Sequence, residues 1–118
     1  MGQILDVEPV VMPDDAESVA VTLGTKGFAC SMKRWGKFVY FSCDTNALSA
    51  GDNELFTITN SADRPLYKLI GSGYFPATGS DYNKWNIFHI DPSTGKCIMN
   101  IQSGTTYGVT ISGVFMTA

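Results

Sequence analysis

The chain has 118 residues, a net charge of −3, 44% hydrophobic and 16% charged residues, and 12 glycines. This fits one small domain and excludes a charge-rich helical bundle. No basic stripe exists to track a phosphate backbone, no apolar run approaches a membrane span, and the first residues lack a basic-then-apolar secretory pattern.

In chain order, residues 1–18 read as an acidic leader or linker. Asp6, Glu8, Asp14, Asp15 and Glu17 carry its charge with no basic residue, and Pro9 and Pro13 interrupt it. The stretch is expected to contribute little to a core. Residues 19–118 read as the β domain. Val19–Leu23 is a short strand. Phe28, Cys30 and Met32 alternate with Ala29, Ser31 and Lys33 at the period of a strand with one buried face. Arg34-Trp35-Gly36-Lys37 reads as a tight turn into a strand over Phe38–Cys43, which is apolar on both faces. With Arg34 facing Lys37, Cys30 faces Phe41 and Phe28 faces Cys43, all toward the core. The two cysteines are then diagonal neighbours, roughly 7–8 Å apart and beyond a disulfide. Cys30, Cys43 and Cys97 are therefore expected to be buried free thiols.

Asp44–Asn53 reads as a polar loop, Glu54–Thr59 as a strand, Asn60–Pro65 as a turn, and Leu66–Phe75 as a longer strand. The last third has the clearest pattern. Trp85–Asp91 and Lys96–Gln102 form a hairpin around Pro92-Ser93-Thr94-Gly95. Phe88 faces Met99 and Ile90 faces Cys97 on the core side. Ser103–Thr105 turns again, and Tyr107–Met116 closes the fold. The expected architecture is a compact antiparallel β-barrel or sandwich of about eight short strands.

Chemistry-bearing motifs are sparse. The one histidine, His89, cannot assemble a zinc site with no Cys-x-x-Cys, and no nucleophile elbow or phosphate loop occurs. No enzyme activity, metal or cofactor is expected. Asp91 opens a good turn signal and Asp81 falls in a loop, so neither is read as half of a carboxylate pair. The outer face of the hairpin is the one functional constellation. It gathers Trp85, His89 and Asp91 with Asn100 and Gln102. An aromatic ring can cover the apolar face of a sugar while His, Asp, Asn and Gln bond its hydroxyls. A plain solvent face or a subunit interface has the same spacing.

The segment Phe88-His-Ile-Asp91-Pro-Ser-Thr-Gly95-Lys-Cys97 resembles the corresponding hairpin in head domains of siphophage receptor-binding proteins, such as lower-baseplate proteins of lactococcal phages. Gly104–Phe115 is similar to C-terminal strands of phage tail-tip modules, and the early hairpin Lys33–Val39 with a later Arg64-Pro65 fits the same pattern. The resemblance implies a β-barrel head at the tip of a homotrimer. It implies binding of a host cell-wall or cell-surface saccharide without catalysis, other phage tail proteins as partners, and a place on the distal tail or baseplate of a virion made in the host cytoplasm. The family's polyol-binding His and Asp fall on His89 and Asp91. Its tryptophan has no counterpart around Ile98–Asn100, nor its arginine near Tyr107. A structural tail module that binds only proteins and a carbohydrate-binding module of an enzyme are the alternative readings.

Overall fold

The computed structural model describes residues 16–73, 86–106 and 108–118, of which 103–106 are described by their backbone alone. Among them, nine strands form two antiparallel sheets. β1 (Glu17–Ser18), β3 (Gly27–Trp35), β4 (Phe38–Thr45) and β9 (Thr110–Met116) form a four-stranded sheet in the order β1-β3-β4-β9. β2 (Val21–Leu23), β5 (Leu48–Ile58), β6 (Leu69–Gly71), β7 (Asn86–Ile90) and β8 (Lys96–Thr106) form a five-stranded sheet in the order β2-β5-β8-β7-β6. Neither sheet closes on itself, so the architecture is a sandwich. The strand expected over Val19–Leu23 is divided. Its neighbourhood supplies β1 to one sheet and β2 to the other, and buried Val19 marks the crossing.

The core lies between the sheets. The four-stranded sheet contributes Met32, Val39, Phe41, Ile111 and Phe115. The other sheet contributes Leu55, Phe56, Ile58, Phe88, Ile90, Met99 and Ile101. Phe41 is the central ring, with ring centroids 6.1–6.2 Å from those of Phe56, Phe88 and Phe115, two of which lie on the opposite sheet. Gly113 stands opposite Phe41 on β9, and a Cβ there would lie 3.1 Å from the ring. The missing side chain is the room that the ring occupies. Arg34 seals one end of the core. It donates to Asp63 Oδ1 at 2.7 Å, to the Ala62 carbonyl at 2.6 Å and to Thr117 Oγ1 at 3.1 Å.

The β3–β4 hairpin corrects the sequence register by two residues. Its turn consists of Gly36-Lys37, flanked by the pair Trp35–Phe38. Gly36 has φ +60° and, among the described residues, no non-glycine residue has positive φ, the pattern of a II′ turn with glycine at the first central position. Cys30 therefore stands directly opposite Cys43, with Cα atoms 4.1 Å apart, and the two form a disulfide. The expectation of three free thiols fails for this pair and holds for Cys97, which is buried and unbridged. Phe28 also departs from expectation. A register shift between Gly27 and Ala29 makes it an added residue, and it is exposed instead of facing the core.

Two stretches expected to be loops are strand for most of their length. The chain over 44–53 ends β4 and begins β5, and the chain over 103–105 continues β8. In β5 the ladder shifts between Ser49 and Gly51, and the buried Asn53 secures the shift. Its side chain accepts from Ser49 N at 3.0 Å. It donates to the carbonyls of Ser49 at 2.8 Å, Gly51 at 3.1 Å and Met99 at 3.2 Å. A second shift makes Leu55 an added residue, so Asn53, Leu55, Phe56 and Ile58 all point inward while Asp52, Glu54 and Thr57 point out.

Candidate sugar-binding face

The β7–β8 hairpin has the register expected from its alternation, with Phe88 opposite Met99 and Ile90 opposite Cys97. That parity turns Ile87, His89, Ile98 and Asn100 to the outer face of the five-stranded sheet. His89 is the centre of a cross-strand row. It faces Ile98 on β8 and Ile70 on β6, and Ile98 in turn faces Glu54 on β5. Ile87 faces Asn100, which faces Asp52. Asn100 Nδ2 donates to Asp52 Oδ1 at 2.8 Å, and Lys96 Nζ lies 3.5 Å from Glu54 Oε1. Gln102, exposed, lies two residues beyond Asn100 on β8. The face is thus a strip of exposed or half-buried isoleucines around an imidazole, bordered by amide and carboxylate groups that are already held in place.

Asp91 lies just past the end of β7, about 7 Å along the strand direction from His89. Its carboxylate oxygen Oδ1 accepts from Ser93 N at 2.8 Å and from Ser93 Oγ at 2.7 Å. Its main chain closes the turn, with Gly95 N donating to its carbonyl at 2.7 Å. The Ser93 hydroxyl, and next the Ser93 amide, hold the carboxyl below its usual range, with Lys68 adding a smaller favourable charge. One carboxylate oxygen is therefore engaged in bracing the turn. Trp85, the expected aromatic surface, lies outside the described residues.

The turn is fastened by Arg64, which the sequence places in a turn and in the pattern of the family resemblance but not in contact with this hairpin. Its guanidinium donates to the carbonyls of Ile58 at 3.0 Å, Thr59 at 3.2 Å and Ser93 at 2.9 Å. Gly95, with φ +74°, leaves the space that Arg64 fills, since a Cβ there would lie 2.6 Å from its Nε. Ile70, Asp52 and Glu54 also escaped sequence reading as members of the face. Ile70 belongs to a strand whose pairing partner was not assigned, and Asp52 to a stretch read as loop. Only the long-range pairings of β5 with β8 and of β6 with β7 bring them beside His89.

Two other features bear on the chemistry. Burial pushes the Cys97 thiol up and keeps it protonated, so it offers no thiolate. A cleft of about 200 Å³ opens beside β9, between Pro65–Leu69 and Phe115–Met116. It is smaller than the roughly 300–1,000 Å³ of ligand pockets and offers Lys68 as its one charged group. The outer face of the five-stranded sheet carries more hydrogen-bonding variety than the cleft. No protein-family model, curated protein or solved structure matches the chain.

Proposed function

We propose that the chain is a non-catalytic receptor-binding head domain of a phage tail, and that it holds a host cell-surface saccharide on the outer face of its five-stranded sheet. The observation that carries this reading is the row Ile70–His89–Ile98 with Ile87 and Asn100 beside it. It joins an apolar strip to polar groups on strands that the core keeps rigid. A sugar ring has the same division, with an apolar face and a rim of hydroxyls. A neutral imidazole offers one donor and one acceptor, and the Asn100 amide and Asp52 carboxylate continue that pattern. Asp91 serves at the margin, with its turn-bracing bonds setting the orientation of the carboxylate. The resemblance of Phe88–Cys97 to receptor-binding heads supplies the ligand class.

The test is isothermal titration of the protein with saccharide from a host cell wall, repeated with His89→Ala. The proposal expects measurable heat for the unaltered protein and weakened binding for the variant, with an unchanged melting curve. Equal affinity in both would remove this face from the binding model.

A further inference from the structure

Hydrogen-bond donors and acceptors are unevenly spread over the outer face of the five-stranded sheet. Asp52, Asn100 and Ile87 form one cross-strand row, and Glu54, Ile98, His89 and Ile70 the next. Thr57 and Lys96 stand opposite one another in a third row, which Asp91 closes by donating its backbone N–H to the Lys96 carbonyl at 3.0 Å. The two outward side chains of β8 that carry N–H groups in these rows are both committed to carboxylates of β5. The Asn100 amide donates to Asp52 Oδ1 at 2.8 Å, and the Lys96 ammonium lies 3.5 Å from Glu54 Oε1. Among the described residues, what stays open beside the isoleucines is mostly acceptor: the second oxygens of Asp52 and Glu54 and the side-chain carbonyl of Asn100. His89 makes no hydrogen bond among the described residues, and a neutral imidazole adds one donor and one acceptor. At the margin, Asp91 is a further carboxylate, and the charge of Lys68 is set against it.

We propose that this face selects neutral and amino-substituted saccharides and rejects phosphorylated or uronic ones, with Asp52 and Glu54 setting the choice. The inference rests on the saccharide reading and narrows it to a chemical class. An ionised carboxylate accepts and never donates. A phosphate or uronate group on this face therefore brings acceptors to acceptors and negative charge to negative charge. Hydroxyls donate as well as accept, and ammonium or acetamido N–H groups donate, so these meet the same oxygens favourably. Ile70, Ile87 and Ile98 cover the apolar side of a sugar ring in every case, so apolar contact does not discriminate and the polar border does. The two carboxylates act differently. Asp52 is aimed by Asn100 and keeps one oxygen for a ligand donor. Glu54 occupies Lys96, the one ammonium in these rows that could receive an anion. A surface pair of that kind adds little to stability, so removing its charge leaves the fold intact.

A glycan array tests it, presenting several hexose oligomers, each in neutral, amino, N-acetylamino, phosphorylated and uronic forms. The probes are the full chain and its variants Asp52→Asn, Glu54→Gln and His89→Ala. The expected result is binding of neutral, amino and N-acetylamino forms, with the phosphorylated and uronic forms of the same oligomer bound roughly tenfold less, as like-charge juxtaposition implies. Asp52→Asn and Glu54→Gln keep the side-chain shape, and each should narrow that ratio about threefold, the scale of one exposed charge pair, with circular dichroism unchanged. Phosphorylated or uronic forms bound as well as the neutral one overturn the inference and leave the saccharide reading standing, as does a ratio unchanged in both carboxylate variants. Signal undiminished in His89→Ala moves the saccharide off this face and overturns the inference as well. If no form is bound by the full chain, the saccharide reading itself falls and this inference with it.

Discussion

The two outer faces of the sandwich obey the same parity rule and end with opposite surfaces. On the four-stranded sheet, the outward positions of β4 and β9 nearest the Gly36-Lys37 turn are Phe38, Tyr40, Val114 and Met116, with Ser42, Asp44, Thr110 and Ser112 farther along. On the five-stranded sheet, the outward positions of β5 and β8 alternate Asp52, Glu54, Lys96, Ile98 and Asn100, and charges meet partners across the ladder. The inner faces do not differ in this way, since both are aliphatic and aromatic. A sandwich needs only one apolar face per sheet to form its core. What a sheet carries on its second face is therefore not dictated by that core. Here one sheet keeps apolar rows on its second face and the other a mixed surface, and the mixed one is suited to a polar ligand.

The largest expected effect concerns the bridge inside the four-stranded sheet. Replacing Cys30 and Cys43 by alanine should lower stability to urea by about 3 kcal/mol, the value expected for a loop of about this length. The change should be felt around Trp35–Phe38 more than around His89. Peptide mapping of the unreduced protein should recover Cys30 linked to Cys43, with Cys97 alkylated only after denaturation. Recovery of three alkylated cysteines would remove the bridge from the comparison.

The next effect concerns the irregular sheet. Asn53→Ala leaves four backbone partners to find water or remain unpaired, and should cost about 2 kcal/mol. Hydrogen exchange should quicken first near Ser49 and Gly51. A fully stable variant would mean that the ladder shift needs no side-chain support.

A smaller effect separates function from fold. His89→Ala should weaken saccharide binding by about 1.5 kcal/mol, as loss of a neutral or charge-assisted hydrogen bond implies, with stability within about 0.5 kcal/mol of the parent. A large stability loss would show His89 bracing the sheet.

The smallest effect is a pH dependence at the margin of the same face. Asp91 is held below the ordinary carboxyl value by Ser93. Its turn bonds therefore contribute fully above about pH 3.9 and are lost as pH falls through its lower folded value. Chemical-shift titration should place Asp91 below about 3.9, and Ser93→Ala should move it back up. A titration at or above the ordinary value in the parent protein would contradict the turn geometry.

How much of this was legible depended on whether the determining contacts were local. In the β7–β8 hairpin, Asp91 and Gly95 define the turn and alternation on both strands agrees, so the sequence register matches the structure. In the β3–β4 hairpin the same kind of reading placed Gly36 second in the turn instead of first. That moved every pair by two residues and separated two cysteines that stand opposite one another. The faces survived the error because side-chain parity repeats every two residues, but the bridge did not. The stretch over 48–53 has polar, turn-like residues and is held as strand by a distant partner, β8, and by the buried Asn53. No local pattern announces either. For the site, His89, Asn100 and Gln102 were legible as one outward set, and Asp91 as a turn residue. Ile70, Asp52 and the fastening by Arg64 were not, because they arise from pairing across the sheet.

Gly113 has a consequence beyond the room it leaves for Phe41. That ring stands on one sheet and leans on two rings of the other, so the depth to which it sinks toward β9 sets how closely the layers nest. Protein interiors are packed nearly as densely as organic crystals and pass displacements on instead of absorbing them. An added methyl at Gly113 would lift the ring by a few tenths of an ångström. The lift would be handed to Phe56 and Phe88, and Phe88 directly precedes His89 in β7. The smallest residue of one sheet thereby acts as the shim that levels the surface of the other.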